Sequence, residues 1–525
     1  MHDGSGMGGT VRQQRSLRVL RPGGVRSSVA TGLHPRSGGA RGRRESMNVP
    51  GVWLSLVLVL CAGGCGFAKY EPKPIDPGAT ETAYRARTLA DEALREYLRT
   101  QGQDVTVWPR PSWDLPSLAL AAVFLHPDVA VAQARARVFG AELATSRTRL
   151  PYSVTLRPEF NDKTAPGETP WGIGVLVGLT WDVGGKRQAF SEQLERMEEA
   201  ALIEVGMAGW RVRSRLRAHF VELYEATRML ETLAQEQEVR RTLLSLVEKR
   251  VSAGYTSALE ANFVRQRLAE GDLLLGRAAV VRDRALAGVA EAVAVPLDEL
   301  AQVRLDFTGL ELPVAPPAAR DVQREALLNR LDLRRKLADY AVAEAAVKLE
   351  VARQYPDVTL VPGYFWDVDE SIWSIAFLGF VPPKARSRAL IREAEARREV
   401  EEKAFLALQA SVIAEAATAA SRYQRAFEAA EAARRHIAAA RALRDRVERQ
   451  FSRGYADRME LVQARLDALV VERDAVAAML EAQQGLSALE DAVQRPLDNP
   501  DHAAIVKAPV EPSESAVNPA LLDND

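Results

Sequence analysis

The chain has 525 residues, with 69 Lys and Arg against 70 Asp and Glu, a formal charge of −1. Residues 1–46 carry nine Arg against Asp3 and Glu45, a charge of +7, so the remainder stands at −8; this mildly acidic body argues against nucleic acid as partner. Aromatics are 6% of the chain while Ala, Leu, Val, Glu and Arg abound, which favours long helices over a sheet-dominated fold.

Cysteine is confined to Cys61 and Cys65, in one apolar segment, so neither a disulfide framework nor a zinc spacing exists. The six histidines are scattered singly, which predicts no metal site. No Ser/His/Asp phrase, phosphate-cradling Gly loop or nucleophilic Cys stands out, so the chain reads as a non-enzyme without cofactors.

Residues 1–64 read as a leader and signal peptide. Gly51–Leu60 (GVWLSLVLVL) is too short to span a bilayer but has the length of a signal-peptide core. Ala62, Gly63 and Gly64 then lead to Cys65, which resembles a bacterial lipobox with Cys65 as the acylated first residue. The other reading is a signal peptide cleaved elsewhere with an ordinary thiol at Cys65. Translation starts at Met1 or Met47.

From residue 65 to 116 a Pro-containing linker is expected. Beyond it the chain is written twice. Glu248–Tyr255 (EKRVSAGY) recurs as Glu448–Tyr455 (ERQFSRGY). Ala292–Asp298 (AVAVPLD) recurs as Ala492–Asp498 (AVQRPLD), and Ser153–Pro158 (SVTLRP) as Asp357–Pro362 (DVTLVP). Three matches in one order delimit two copies, 117–298 and 320–498, with a connector at 299–319 and a tail at 499–525.

Each copy reads the same way. A medium helix (about 117–150 and 320–354) precedes two short strands. A very long helix follows (about 186–252 and 384–452), then a Gly-Tyr turn and a returning helix (about 256–295 and 456–495) that stops before Pro296 or Pro496. A helix of some 65 residues reaches about 100 Å, far beyond what a compact domain uses.

The strands alternate. Tyr152, Val154, Leu156 and Phe160 interleave with Ser153, Thr155, Arg157 and Glu159; Ile173, Val175, Val177, Leu179 and Trp181 interleave with Gly172, Gly174, Gly178 and Thr180. In the second copy Val358, Leu360, Tyr364 and Trp366, then Trp373, Ile375 and Phe377, form the apolar sides. Aromatics gather toward strand ends, as membrane interfaces favour. Four strands cannot close a barrel, and an open edge in lipid leaves several kcal/mol per unpaired group, so copies must associate. Three copies would give twelve strands with room for a conduit.

Over residues 117–497 the chain resembles the TolC family of outer-membrane efflux proteins. The likeness rests on the duplicated plan, on His126–Val129 (HPDV) opening a helix, on Trp181–Arg187 (WDVGGKR) after the second strand, and on the two Gly-Tyr turns. It implies a mainly α fold with a membrane β part. In that fold a homotrimeric 12-stranded β-barrel in the outer membrane, four strands per chain, continues as a long α-helical barrel in the periplasm. It also implies a passive exit duct for small molecules or metal ions, working with a periplasmic adaptor and an inner-membrane pump of the RND type. Gly184–Arg187 looks like the metal-exporting branch. A type I protein secretion duct shares the fold, and a non-pore periplasmic lipoprotein scaffold is the reading from another class.

The resemblance assigns adaptor contacts to the tips Gly254, Tyr255, Gly454 and Tyr455. It matches Glu260 and Glu460 to gate carboxylates and Gln463 to a second, usually acidic, gate position. Arg265 and Arg465 are the candidate partners of those carboxylates, and Arg157 with Glu159 is expected to face the barrel lumen. A solvated helix charge is the plain alternative for Glu260 and Glu460, and a self-neutralised pair for Arg157 and Glu159.

Overall fold

In the computed structural model, residues 70–148, 152–163, 170–311, 313–367 and 370–497 are described; Cys65, the leader and the tail beyond 497 lie outside them. Of the first 74 residues only 70–74 are described, without regular structure, and the helices and strands belong to residues 75–497.

Two short helices come first, α1 (Pro77–Arg85) and α2 (Glu92–Thr100), N-capped by Asp76 and Asp91. Then come α3 (Leu115–Leu125) and α4 (Pro127–Arg147), the strands β1 (Ser153–Phe160) and β2 (Trp171–Trp181), the 67-residue α5 (Lys186–Ser252), and α6 (Ala258–Val293). A one-turn helix α7 (Leu297–Ala301) begins the connection to the second copy. That copy contains α8 (Ala319–Asn329), α9 (Leu331–Ala352), β3 (Val358–Asp367), β4 (Glu370–Gly379), the 69-residue α10 (Lys384–Ser452) and α11 (Arg458–Val493).

The medium helix expected in each copy is two helices. In the first copy the break falls at His126–Pro127, where proline lacks an N–H and the path bends by 49°. His126 caps α4, its Nδ1 accepting the Asp128 N–H at 3.1 Å. In the second copy no proline breaks the chain. Instead the Leu331 N–H donates to Gln494 Oε1 at 2.6 Å, and Arg330 binds Asp332 at 2.6 Å. Both breaks are also braced by the adjoining long helix. Arg215 reaches Asp128 at 3.4 Å in the first copy, and Glu415 receives the N-cap residue Arg330 at 2.7 Å in the second.

The elements form a wall one layer thick. The sheet order is β1-β2-β3-β4, all antiparallel. Each strand joins one helix, and the packing of α4 on α5, α5 on α9 and α9 on α10 repeats the strand order below the sheet. Farther down, α6 packs on α5, α5 on α11 and α11 on α10, so α6 and α11 replace α4 and α9. The wall is four elements wide along its whole length.

Two apolar cores thicken the wall at mid-height. The first joins α2, α3, α5 and α6 with Trp113, Val212, Leu216, Phe220 and Val289 all buried. Here residues 75–116, expected as a linker, are an ordered strap. Trp113 bridges Leu305 in the inter-copy connection, and Arg87 donates to the carbonyls of Leu125 and Ala294 at two helix ends. The second core joins α8, α9, α10 and α11 around Val412, Tyr423, Leu486 and Leu489. Ala294 and Gln494, at matching places, both take left-handed conformations (φ 64° and 47°) to end the returning helices.

A buried ion cluster ties the copies together. Glu490 on α11, fully buried, accepts from Arg213 at 3.0 Å and the Leu497 N–H at 2.8 Å, and lies 3.4 Å from Arg217. Asp491 beside it accepts the Trp210 indole N–H at 3.0 Å and the Ser214 hydroxyl. Glu490→Ala is expected to destabilise the chain by roughly 3–5 kcal/mol, because two guanidinium groups would stay buried without their carboxylate. Chemical denaturation followed by circular dichroism measures this, and a change below about 1 kcal/mol would contradict it.

Burial pushes the His126 pKa below the ordinary histidine value of 6.5; Asp128 opposes, Arg215 reinforces. The unfolded chain therefore takes up a proton below pH 6.5 that the folded chain resists, and stability should fall as pH drops through that region. His126→Asn keeps a capping side chain without titrating. Its denaturation midpoint, measured against wild type between pH 7.5 and 5.5, should show the smaller loss.

Candidate functional site

The two ends of the wall hold the candidate sites. At the sheet end, register fixes which side chains share a face. Val154 opposes Val177, Leu156 opposes Val175, and Phe160 opposes Trp171. Ile173 opposes Trp366, Val175 opposes Tyr364, and Leu179 opposes Leu360. Leu360 opposes Phe377 and Tyr364 opposes Trp373. One face is thus apolar across all four strands, as the alternation predicts, and Leu156, Ile375 and Phe377 are 64%, 70% and 72% exposed on it. Rings bracket it. Tyr152, Trp181, Tyr355 and Phe380 stand at the helix side, while Phe160 packs on Trp171 and Tyr364 on Trp373, each pair at 4.9 Å, toward the hairpin tips.

The opposite face carries Ser153, Thr155, Arg157, Glu159, Gly172, Gly174, Gly178, Thr180, Thr359, Gly363 and Ser374, with a few apolar residues among them. Arg157 and Glu159 lie here and pair at 2.6 Å, while the Arg157 guanidinium covers the Phe365 ring at 5.3 Å. The Phe365 ring lies directly over Gly174, where a Cβ would come within 2.4 Å of it and push the ring aside. The Arg157–Glu159 charge is neutralised within the chain.

Both edges of the sheet are open: β1 and β4 each have one neighbour. The helical wall is open along the same two sides. On one side Val131 and Val138 of α4 and Leu273 and Val280 of α6 are exposed, and on the other Val400, Leu406, Ile413 and Leu443 of α10. Within each side, pairs such as Val131/Val138, Leu273/Val280 and Leu406/Ile413 are seven residues apart, the spacing of helix-on-helix seams. α10 also contains a stretch apolar enough for a membrane span that the chain leaves largely uncovered.

At the other end lie two reversals. Gly254 and Gly454 adopt φ of 77° and 79°, a region costly for a side chain, and Tyr255 and Tyr455 beside them are 78% and 82% exposed. Each hairpin is clasped by the same pair seventeen residues apart, Arg265 with Glu248 at 2.7 Å and Arg465 with Glu448. Within one chain these arginines thus pair with Glu248 and Glu448 and not with Glu260 and Glu460. Glu260 accepts from the Thr256 hydroxyl. Glu460 forms a capping box with Asp457, receiving the Asp457 N–H at 2.9 Å and donating its own N–H to the Asp457 carboxylate at 2.7 Å. Gln463 donates to Asp467 at 2.8 Å. All three side chains are exposed near the hairpin reversals, and the box's signal, Asp457 three residues before Glu460, is present in the sequence.

The phrase Trp181–Arg187 has a structural role at the joint between sheet and helices. Burial raises the Asp182 pKa, but N–H groups of Arg187 (2.7 Å), Lys186 and Gly184 outweigh it and leave the carboxyl below the ordinary range. Lys186 binds Asp357 at 2.7 Å, and Arg187 donates to the carbonyls of Ser146, Arg147 and Thr148 at the end of α4. Among the described residues, no group of three His, Cys, Asp or Glu side chains is placed to hold a metal ion.

No family model and no curated protein matches the sequence. Solved structures do match the fold. The outer-membrane channel OprN aligns with a TM-score of 0.58 at 20% identity, covering 82% of this chain and 99% of its own. The outer-membrane protein VceC of Vibrio cholerae aligns at 0.57 and 18%, covering 72% and 95%. CusC, described in connection with transmembrane channel formation, aligns at 0.57 and 15%, covering 82% and 99%. The chain has the fold of these proteins, a helical body with a four-stranded sheet.

Glu460→Ala should remove the capping box and cost α11 about 1 kcal/mol at its first turn, while Glu460→Gln keeps most of it. Hydrogen exchange of the amides following Asp457 reads the difference; equal protection in the two variants would count against the box.

Proposed function

We propose that this chain is a TolC-like outer-membrane channel subunit, a passive exit duct of a tripartite efflux system. The observation that carries the reading is the wall itself. Its sheet has one exposed apolar face ringed by aromatics, and sheet and helices are open along the same two sides. Lipid would cover the apolar face. Unpaired strand edges are not tolerated in lipid, so the β1 edge of one copy would meet the β4 edge of the next. Three copies then give twelve strands and a hollow, and the exposed α4/α6 side meets the exposed α10 side beneath.

On this reading the helices extend into the periplasm, the Gly-Tyr tips meet an adaptor, and an RND-type pump supplies the energy. Cys65 would carry the lipid anchor. Cargo is a small molecule or, if the Gly184–Arg187 phrase marks the metal-exporting branch, a metal ion in transit. A type I secretion duct would use the same wall. A scaffold without a pore leaves the apolar sheet face without a purpose.

The purified protein should run as a detergent-resistant trimer whose mobility changes on heating, and should conduct ions in a planar bilayer. A detergent-free soluble monomer without conductance would defeat the proposal. Three-fold repetition would ring the narrow end with Glu260 and Glu460. The double variant Glu260→Gln with Glu460→Gln should lower cation selectivity severalfold in reversal-potential measurements while trimers persist. Unchanged selectivity would mean these carboxylates act only on their own helices.

A further inference from the structure

The two long helices begin alike in sequence but differ in what their cations do. α5 starts with Lys186 and Arg187, and both are engaged within the chain, by Asp357 and by the carbonyls closing α4. α10 starts with Lys384, Arg386 and Arg388. All three are exposed, and none has an ion-pair or hydrogen-bond partner among the described residues. Arg392, one turn on, reaches only the Arg388 carbonyl at 3.4 Å. No acid occupies the first turn of α10, where the helix field favours one, so these charges lie in an unfavourable place unless an anion meets them.

The apolar collar lies just before them. Phe380 and Val381 are 91% and 78% exposed, and with Tyr152, Trp181 and Tyr355 they mark the helix-side border of the apolar sheet face. A row of rings followed within one turn by unpaired cations matches the order of a bilayer surface, acyl boundary first and phosphates next.

We infer that Lys384 and Arg388, one turn apart on one face of α10, form a docking surface for anionic phospholipid headgroups in the membrane leaflet on the helical side of the sheet. The inference rests on the membrane reading of that sheet. In the first copy the equivalent cations hold the joint rigid; in the second they would hold the bilayer. A trimer would present three such surfaces around its girth, one at each β4 edge.

The test uses the full-length protein in phosphatidylcholine vesicles carrying spin-labelled phosphatidylglycerol or spin-labelled phosphatidylcholine, with quenching of tryptophan fluorescence as readout. Wild type should prefer the anionic lipid about fivefold, a preference reduced by high salt. K384Q/R388Q should lose it, and R422Q/R446Q, with the same charge change farther along α10, should keep it. Wild type that inserts and is quenched equally by both lipids overturns the headgroup assignment while the membrane reading stands. Failure of wild type to insert in either vesicle overturns both. Loss of the detergent trimer in K384Q/R388Q, with lipid preference retained, would assign the cations to a neighbouring copy and overturn the inference.

Discussion

The wall's two open sides govern everything else in this molecule. A backbone N–H or C=O at a strand edge is satisfied by water or by another strand, and under the lipid cover proposed for the apolar face beside β1 and β4 only another strand is left. The helices below continue the same order, so each open strand edge stands above an open helix side. An edge that closes in the sheet therefore brings helix sides together as well. The exposed pairs spaced seven apart on α4, α6 and α10 suit that meeting.

Length follows from the same constraint. A single-layer wall has no second layer to bury its faces, so its own stability comes from seams between neighbours and from local thickening. The mid-height cores supply the thickening, with Phe220 and Trp113 in one and Tyr423 in the other. Below them the α5/α6 and α11 seams rely on smaller contacts such as Val247, Ala261, Val462 and Leu466, and on the buried Glu236 that binds Arg240 and Arg473. The hairpin ends thus have fewer large buried side chains behind them than the mid-height cores.

Much of this is legible in the sequence because two periodicities carry it. Alternation at two assigns the apolar face strand by strand, and the observed register joins those strands into one surface. Helical spacing, ending at Gly-Tyr turns and before Pro296 and Pro496, places the long helices. The His126–Pro127 break is present as a proline, but the matching break at Arg330 depends on Gln494, 163 residues away, and no local signal announces it. The strap at 75–116 is hidden because α1 and α2 are short, and its anchors lie far along the chain: Arg87 binds the Ala294 carbonyl, and Thr88 and the Leu89 N–H bind Glu299. The partners of Arg265 and Arg465 escape a local reading for a related reason. Five residues along one helix turns a side chain well away from Glu260 or Glu460, whereas Glu248 and Glu448 face it across the hairpin.

Duplication explains why such a wall can be regular and still acquire distinct parts. The copies keep the backbone solutions: left-handed residues at 254 and 454, others at 294 and 494, and one clasp seventeen residues across each hairpin. Their side chains have diverged where the fold allows exchange. At the helix breaks Arg330 stands where the first copy has His126, each beside the acid two residues on, Asp332 and Asp128, while Glu415 takes the place of Arg215. Elsewhere the copies are complementary instead of equivalent. Arg213 and Arg217 of the first copy need Glu490 of the second, and the positions 200 residues later on α10 are Ile413 and Ala417, which repeat no such charge. The copies therefore cannot be separated without stranding buried charge, and the order of elements across the wall is fixed by that cluster as much as by the sheet.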